Sequence, residues 1–160
     1  MKRTYVPATL AALLALGALG GCADRRAEGP VFSTASHDDL VVTVRADRRT
    51  AAIGDTVALT IVAENPRFRD LLIESDTADP VLVTVWRYDA VAGWKRAMAF
   101  PPAPLRRYTA WVLEGRAGRT FTVELPIEPG WPVLETLKIT AELAGRPDVR
   151  PHVFLTVVPR

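Results

Sequence analysis

The sequence predicts an all-β protein, an antiparallel β-sandwich of seven to nine strands. Three observations carry this. From Asp38 to Pro159 apolar and polar residues alternate with period two, as half-buried strands require. Of thirteen prolines and ten glycines, eleven and six fall within that stretch and cut the alternation into short runs. No helical period of ten or more residues competes with it anywhere in 38–159.

The strands follow in order. Leu40, Val42 and Val44 share one face, with Thr43 and Arg45 opposite, and Ala46 to Asp55 is a mostly polar connection ending in Gly54-Asp55. Val57, Leu59, Ile61 and Ala63 face one side of the next strand, which Asn65-Pro66 ends because proline lacks a ladder donor and restricts its predecessor. A short strand is read at Leu71 to Glu74. Val81, Val83 and Val85 lead another strand to Trp86, Tyr88 and Asp89, and Trp94 to Phe100 returns as its hairpin partner after Val91-Ala92-Gly93. Pro101-Pro102-Ala103-Pro104 excludes a central strand, and Tyr108 to Leu113 follows. Phe121, Val123 and Leu125 alternate with Thr120, Thr122 and Glu124. Leu137, Ile139, Ala141 and Leu143 alternate with Thr136, Lys138, Thr140 and Glu142, and Val153, Leu155 and Val157 close the domain.

The N-terminus reads as a leader. Lys2 and Arg3 precede an apolar run from Val6 to Leu19, and small residues flank a cut between Gly21 and Cys22. The 16 residues from Val6 to Gly21 fall short of the roughly 20 that cross a bilayer as a helix. Leu19-Gly20-Gly21-Cys22 resembles a bacterial lipobox, which implies diacylglycerol on the Cys22 thiol, cleavage before Cys22 and acylation of the new amine. Each buried methylene contributes about 0.8 kcal/mol and one acyl chain holds only marginally, so two or three are needed for a stable anchor. Ala23 rather than Asp after the cysteine favours outer-membrane delivery, facing the periplasm. The expected organisation is a signal peptide over 1–21, a lipidated N-terminus and flexible tether over 22–37, and a β-sandwich domain over 38–160. As a coil the stretch Ala23–Ser36 would reach about 20 Å root-mean-square.

Removing residues 1–21 from 160 leaves 139, enough for one domain with a sizeable core. The leader takes two of the 20 basic residues and none of the 18 acidic ones, so the mature chain is balanced. A nucleic-acid partner would call for surplus positive charge, and none is expected. Cys22 is the one cysteine, so the mature chain has no internal disulfide and depends on its core for stability.

Within the domain the chain resembles bacterial immunoglobulin-like domains and, more loosely, the BsuPI-like proteinase-inhibitor group. The resemblance rests on Gly54-Asp55-Thr56-Val57, on Leu59 through Asn65, on Tyr88-Asp89, Gly93-Trp94 and Met98-Ala99-Phe100, and on Thr140 through Gly145. It implies an immunoglobulin-like β-sandwich, with inhibition of extracytoplasmic proteases as one function of such domains. The chain departs from the pattern at Pro66 to Pro80 and in the proline-rich segment after Phe100.

Catalytic signals are sparse. His37 and His152 are the two imidazoles, and a zinc site wants three or four N/S ligands. Glu74, Asp76 and Asp79 lack the glycine and closing glutamate of an EF-hand loop. The serines lack a nucleophile-elbow context. No cofactor, no metal and no enzymatic activity are expected. Phe100-Pro101-Pro102-Ala103-Pro104-Leu105-Arg106-Arg107-Tyr108 joins preset proline geometry to aromatics and arginines, the types that dominate binding hot spots. Phe100, Pro101, Pro102, Arg106, Arg107 and Tyr108 are therefore the candidate binding residues, and a protein partner in the envelope is the expectation. Trp86, Trp94, Trp111 and Trp131 raise carbohydrate or cell-wall binding as a further alternative, provided two of them share an exposed face.

Overall fold

A computed structural model describes residues 31–160, and the lipobox, with Gly21 and Cys22, lies outside the described residues. The described chain is all-β. Its strands are β1 (Val31–His37), β2 (Leu40–Ala46), β3 (Thr50–Ala52), β4 (Thr56–Glu64), β5 (Leu71–Thr77), β6 (Val81–Asp89), β7 (Gly93–Phe100), β8 (Arg106–Leu113), β9 (Gly118–Pro126), β10 (Thr136–Leu143) and β11 (His152–Val158). They form a four-stranded sheet in the order β1-β2-β4-β9 and a five-stranded sheet in the order β3-β11-β10-β6-β7. A two-stranded sheet, β5-β8, accompanies them. Every pairing is antiparallel except β3 with β11.

The predicted alternation is what builds the core. Leu40, Val42 and Val44 of β2 and Leu59, Ile61 and Ala63 of β4 meet Val83 and Val85 of β6, Leu137, Ile139 and Ala141 of β10 and Leu155 of β11 in one buried cluster. Each large aliphatic side chain so buried contributes about 1.5–3 kcal/mol. Ile73 of β5 and Leu113 of β8 join the same cluster, which anchors the two-stranded sheet to the sandwich.

Eleven strands stand where seven to nine were expected. The difference lies in strands that carry little periodicity. β1 occupies Val31–His37, all of it assigned from sequence to the flexible tether, and pairs with β2 along its whole length. Backbone pairing to an open edge asks little of side chains, and Thr34 and Thr43 add a hydroxyl pair at 2.8 Å. The four-stranded sheet therefore already includes Val31–His37, ahead of the Asp38 start expected from sequence. β3 lies in the polar connection after Ala46 and needs three residues alongside β11. The Pro66 to Pro80 insertion supplies β5, longer than the Leu71–Glu74 reading.

Buried polar contacts pin that insertion. The Asn65 amide, 1% exposed, donates to the carbonyl oxygens of Arg69 at 2.7 Å and Leu113 at 3.1 Å, and its own carbonyl accepts the Arg67 amide N–H at 3.0 Å. Arg69 and Arg67 both donate to the Asp39 carboxylate, with Arg67 Nε at 3.0 Å from Oδ1, and hold its pKa below the usual carboxylate range.

Candidate functional site

Two surfaces of the sandwich combine cavity, aromatic rings and charge. The first lies at its open side, where β9 is the last strand of the four-stranded sheet and has no hydrogen-bonded neighbour beyond it among the described residues. Phe121 and Val123 point inward like Leu125, yet they stay half-buried while Leu125 is fully covered. They line a cleft of about 460 Å³ with Asp79, Pro80, Val81, Phe100, Pro101, Thr122 and Glu124.

Phe100 walls this cleft and a second one. Its ring stacks on that of Trp131, with centroids 6.0 Å apart and planes at 29°. Beyond that stack Met98, Phe100, Pro102, Pro129 and Trp131 line a neighbouring cleft of about 500 Å³. Trp131 itself is buried.

The segment Phe100 to Tyr108 is thus not one loop. Phe100 ends β7, Arg106, Arg107 and Tyr108 begin β8, and the residues between pass from the five-stranded sheet to the two-stranded one. Phe100 and Pro101 reach the β9 cleft, and Pro102 lines the second. Arg106 and Arg107 are exposed and line neither of these clefts. Tyr108 donates its hydroxyl to Glu74, whose carboxylate pushes the phenol pKa up. Asp79 fixes the crossing by accepting the Leu105 N–H at 2.9 Å and the Thr77 hydroxyl at 3.2 Å. Glu74 and Asp79 are therefore occupied, and no group of three or more His, Cys, Asp or Glu among the described residues is placed to hold a metal.

The second surface is the outer face of the five-stranded sheet. The β6–β7 turn is built by Asp89, whose Oδ1 accepts the N–H groups of Val91 at 3.0 Å and Ala92 at 2.8 Å, with Gly93 at φ +70°. The Ala92 N–H is the main reason that the Asp89 pKa lies low, with Lys95 also bonded to the carboxylate. This turn sets Tyr88 opposite Trp94.

A bulge then decides which β7 residues face out. Trp94, Arg96, Met98 and Phe100 are evenly spaced and would share one face of an unbroken strand. The register instead jumps between Trp86↔Arg96 and Val85↔Met98, leaving Ala97 as the extra residue. Trp94 and Arg96 are exposed, whereas Met98 and Phe100 pack on the core.

Tyr88, Trp94, Phe154 and His152 consequently form a row of rings across this face. Successive centroids are 5.4, 6.1 and 5.3 Å apart. Beside the row Thr84, Trp86, Trp94, Arg96, Lys138, Thr140, Glu142 and Arg150 enclose about 480 Å³. Trp86 Nε1 donates to Thr140 Oγ1 at 2.9 Å, and that hydroxyl donates to the Thr84 carbonyl at 3.3 Å, fixing the floor. Lys138 Nζ sits 5.7 Å from the Trp94 ring centroid. Burial, then the Lys138 charge, lowers the His152 pKa.

Of the four tryptophans, Trp86 and Trp94 share this outer face. Trp111 packs edge-on to Phe121 under Arg119, and Trp131 is buried. Sequence reasoning missed Phe154 and Tyr88, although Phe154 falls on the polar phase of its strand's alternation, which is the signal for an exposed aromatic. His37 belongs elsewhere, beside Asp38 and Asp148 at 3.3 and 2.6 Å.

No protein-family model matches the chain, and no curated protein matches it in sequence. Among solved structures, it is similar to the sporulation control protein Spo0M of Bacillus subtilis, with a TM-score of 0.50 and 11% identity over 78% of this chain and 51% of that one. This likeness concerns the fold alone. A β-glucosidase from Listeria innocua gives a TM-score of 0.43 at 11% identity over 81% of this chain. The alkylpurine DNA glycosylase AlkC of Pseudomonas fluorescens gives 0.46 at 9% identity over 71%. The chain spans 16% and 28% of those two enzymes, and neither carries an argument about its activity.

Proposed function

We propose that the chain is a non-catalytic module of the bacterial cell envelope, anchored by lipid on Cys22, that binds a protein partner at the β9 edge. The lipobox residues support the anchor. The observation that carries the binding reading is the half-buried pair Phe121 and Val123, which line a cleft beside an edge strand that has no hydrogen-bonded neighbour beyond it among the described residues. An extended segment of a partner would continue the four-stranded sheet through main-chain hydrogen bonds and seat alternate side chains against Phe100, Pro101, Phe121 and Val123. Asp79 and Glu124 on the cleft wall favour a basic residue in that segment.

The test uses the full-length lipidated chain in living cells, with a photo-crosslinking residue at Thr122 and a control at Val91, which is 98% exposed in the β6–β7 turn. A discrete protein adduct at position 122 is expected, absent at 91 and lost in Val123→Arg. Equal labelling at both positions would sink the edge reading. Should the captured partner be a protease, a stoichiometric inhibition assay then decides whether the module is an inhibitor. Cys22→Ser is expected to release a folded protein from membranes, and retention in the membrane fraction would refute the lipid anchor.

A further inference from the structure

We propose that the outer face of the five-stranded sheet is a binding site for a glycan that carries carboxylates. The site is independent of the β9 edge.

Its shape argues for sugar. Tyr88, Trp94 and Phe154 are 59%, 38% and 45% exposed, and their rings run as one row from the β6–β7 hairpin to β11. Tyr88 meets Trp94 edge-on at 69° and Phe154 is tilted 38° to it, so the row is a stepped apolar surface, and the C–H face of a pyranose packs on its individual rings rather than across them all. The adjoining cavity offers hydroxyls and charges from Thr84, Thr140, Arg96, Lys138, Glu142 and Arg150 rather than an apolar socket. A protein hot spot would need such a socket for a buried side chain. Aromatic walls with a few convergent polar groups suit a small polyhydroxylated ligand.

Its charge argues for carboxylates. Three cations and one carboxylate line the cavity, and that carboxylate, Glu142, is in a salt bridge with Arg150, whose Nε lies 2.6 Å from it. Arg96 and Lys138 have no carboxylate partner among the described residues. They flank Trp86 on neighbouring strands, in register with it on either side. A guanidinium and an ammonium so placed, with no carboxylate of the described residues against either, complement an anionic ring substituent. The floor needs no rearrangement to receive it, because the Trp86–Thr140–Thr84 hydrogen bonds already fix its side chains.

The experiment titrates the full-length chain in detergent with trigalacturonate and with an oligomannuronate, by calorimetry and tryptophan fluorescence. Saturable binding of at least one is expected, with its fully methyl-esterified form weaker by about tenfold or more. Trp94→Ala and Arg96→Gln should each weaken binding by about tenfold, whereas Arg45→Gln, exposed on the four-stranded sheet, should leave it unchanged. If Trp94→Ala melts early, Arg96→Gln and Lys138→Gln decide on their own. Failure of both oligosaccharides to bind overturns the proposal. So does equal binding of the ester, equal competition by hexaglutamate, or indifference to Arg96→Gln.

Discussion

The Asn65 side chain bonds to the carbonyl of Leu113, 48 residues away, across the base of the two-stranded sheet at 3.1 Å. With its contacts to Arg69 and Arg67 it satisfies every hydrogen-bonding group of a nearly inaccessible amide and ties the insertion to β8. Asn65→Leu keeps the branched shape but removes all three of these hydrogen bonds, to two carbonyls and an N–H. The expected loss is about 3 kcal/mol in urea unfolding. A change below about 1 kcal/mol would mean that water replaces the amide.

Gly145 is the tightest approach of that insertion to the sandwich. A Cβ there would fall into the carbonyl of Glu74, 2.8 Å from its carbon, at a backbone φ of +85°. Gly93 has a comparable φ of +70° but opens onto empty space. Gly93→Ala should cost about 1 kcal/mol, from backbone conformation alone. Gly145→Ala should cost about 3 kcal/mol, since β5 must also shift. Equal losses in thermal denaturation would show that the Glu74 contact is soft.

Ile61 and Ile139 lie on facing sheets at the centre of the core, both fully buried. Ile61→Asp or Ile139→Asp is expected to abolish cooperative folding, because each buries an unpaired charge. Thr60→Asp, on the opposite face of β4, is expected to leave a cooperative transition in circular dichroism.

Asp148 supplies a pH dependence. Arg146 reaches both of its oxygens, at 3.1 and 2.9 Å, and with this as the main cause its pKa falls from 3.8 to about 2. A carboxylate with a depressed folded-state pKa stabilises the fold above its unfolded value and loses that contribution as pH falls through the folded one. Asp148→Asn should therefore melt below the wild type at pH 5, and the gap should close between about pH 4 and pH 2. A gap that persists unchanged at pH 2 would assign the loss to packing.

Strands with a buried face and a solvent face were legible because period two is written into them, as in β2, β4, β6 and β10. β1 and β3 were not, because an edge strand gains its stability from backbone bonds to a neighbour and leaves little mark in its own side chains. The candidate segment Phe100 to Tyr108 was half legible. Its prolines do mark a crossing, but where Phe100, Arg106 and Tyr108 end up depends on which sheet each strand joins.

By itself the sequence determined the all-β class, the face of each central strand and the residues of the core, since hydrophobic burial follows local alternation. Only the tertiary structure decided that Trp94 and Arg96 face solvent while Met98 and Phe100 face the core, because one extra residue at Ala97 reverses the phase of β7. Only it gathered Tyr88, Trp94, Phe154, Arg96 and Lys138 on one face, since cross-strand neighbours are set by register and not by distance along the chain.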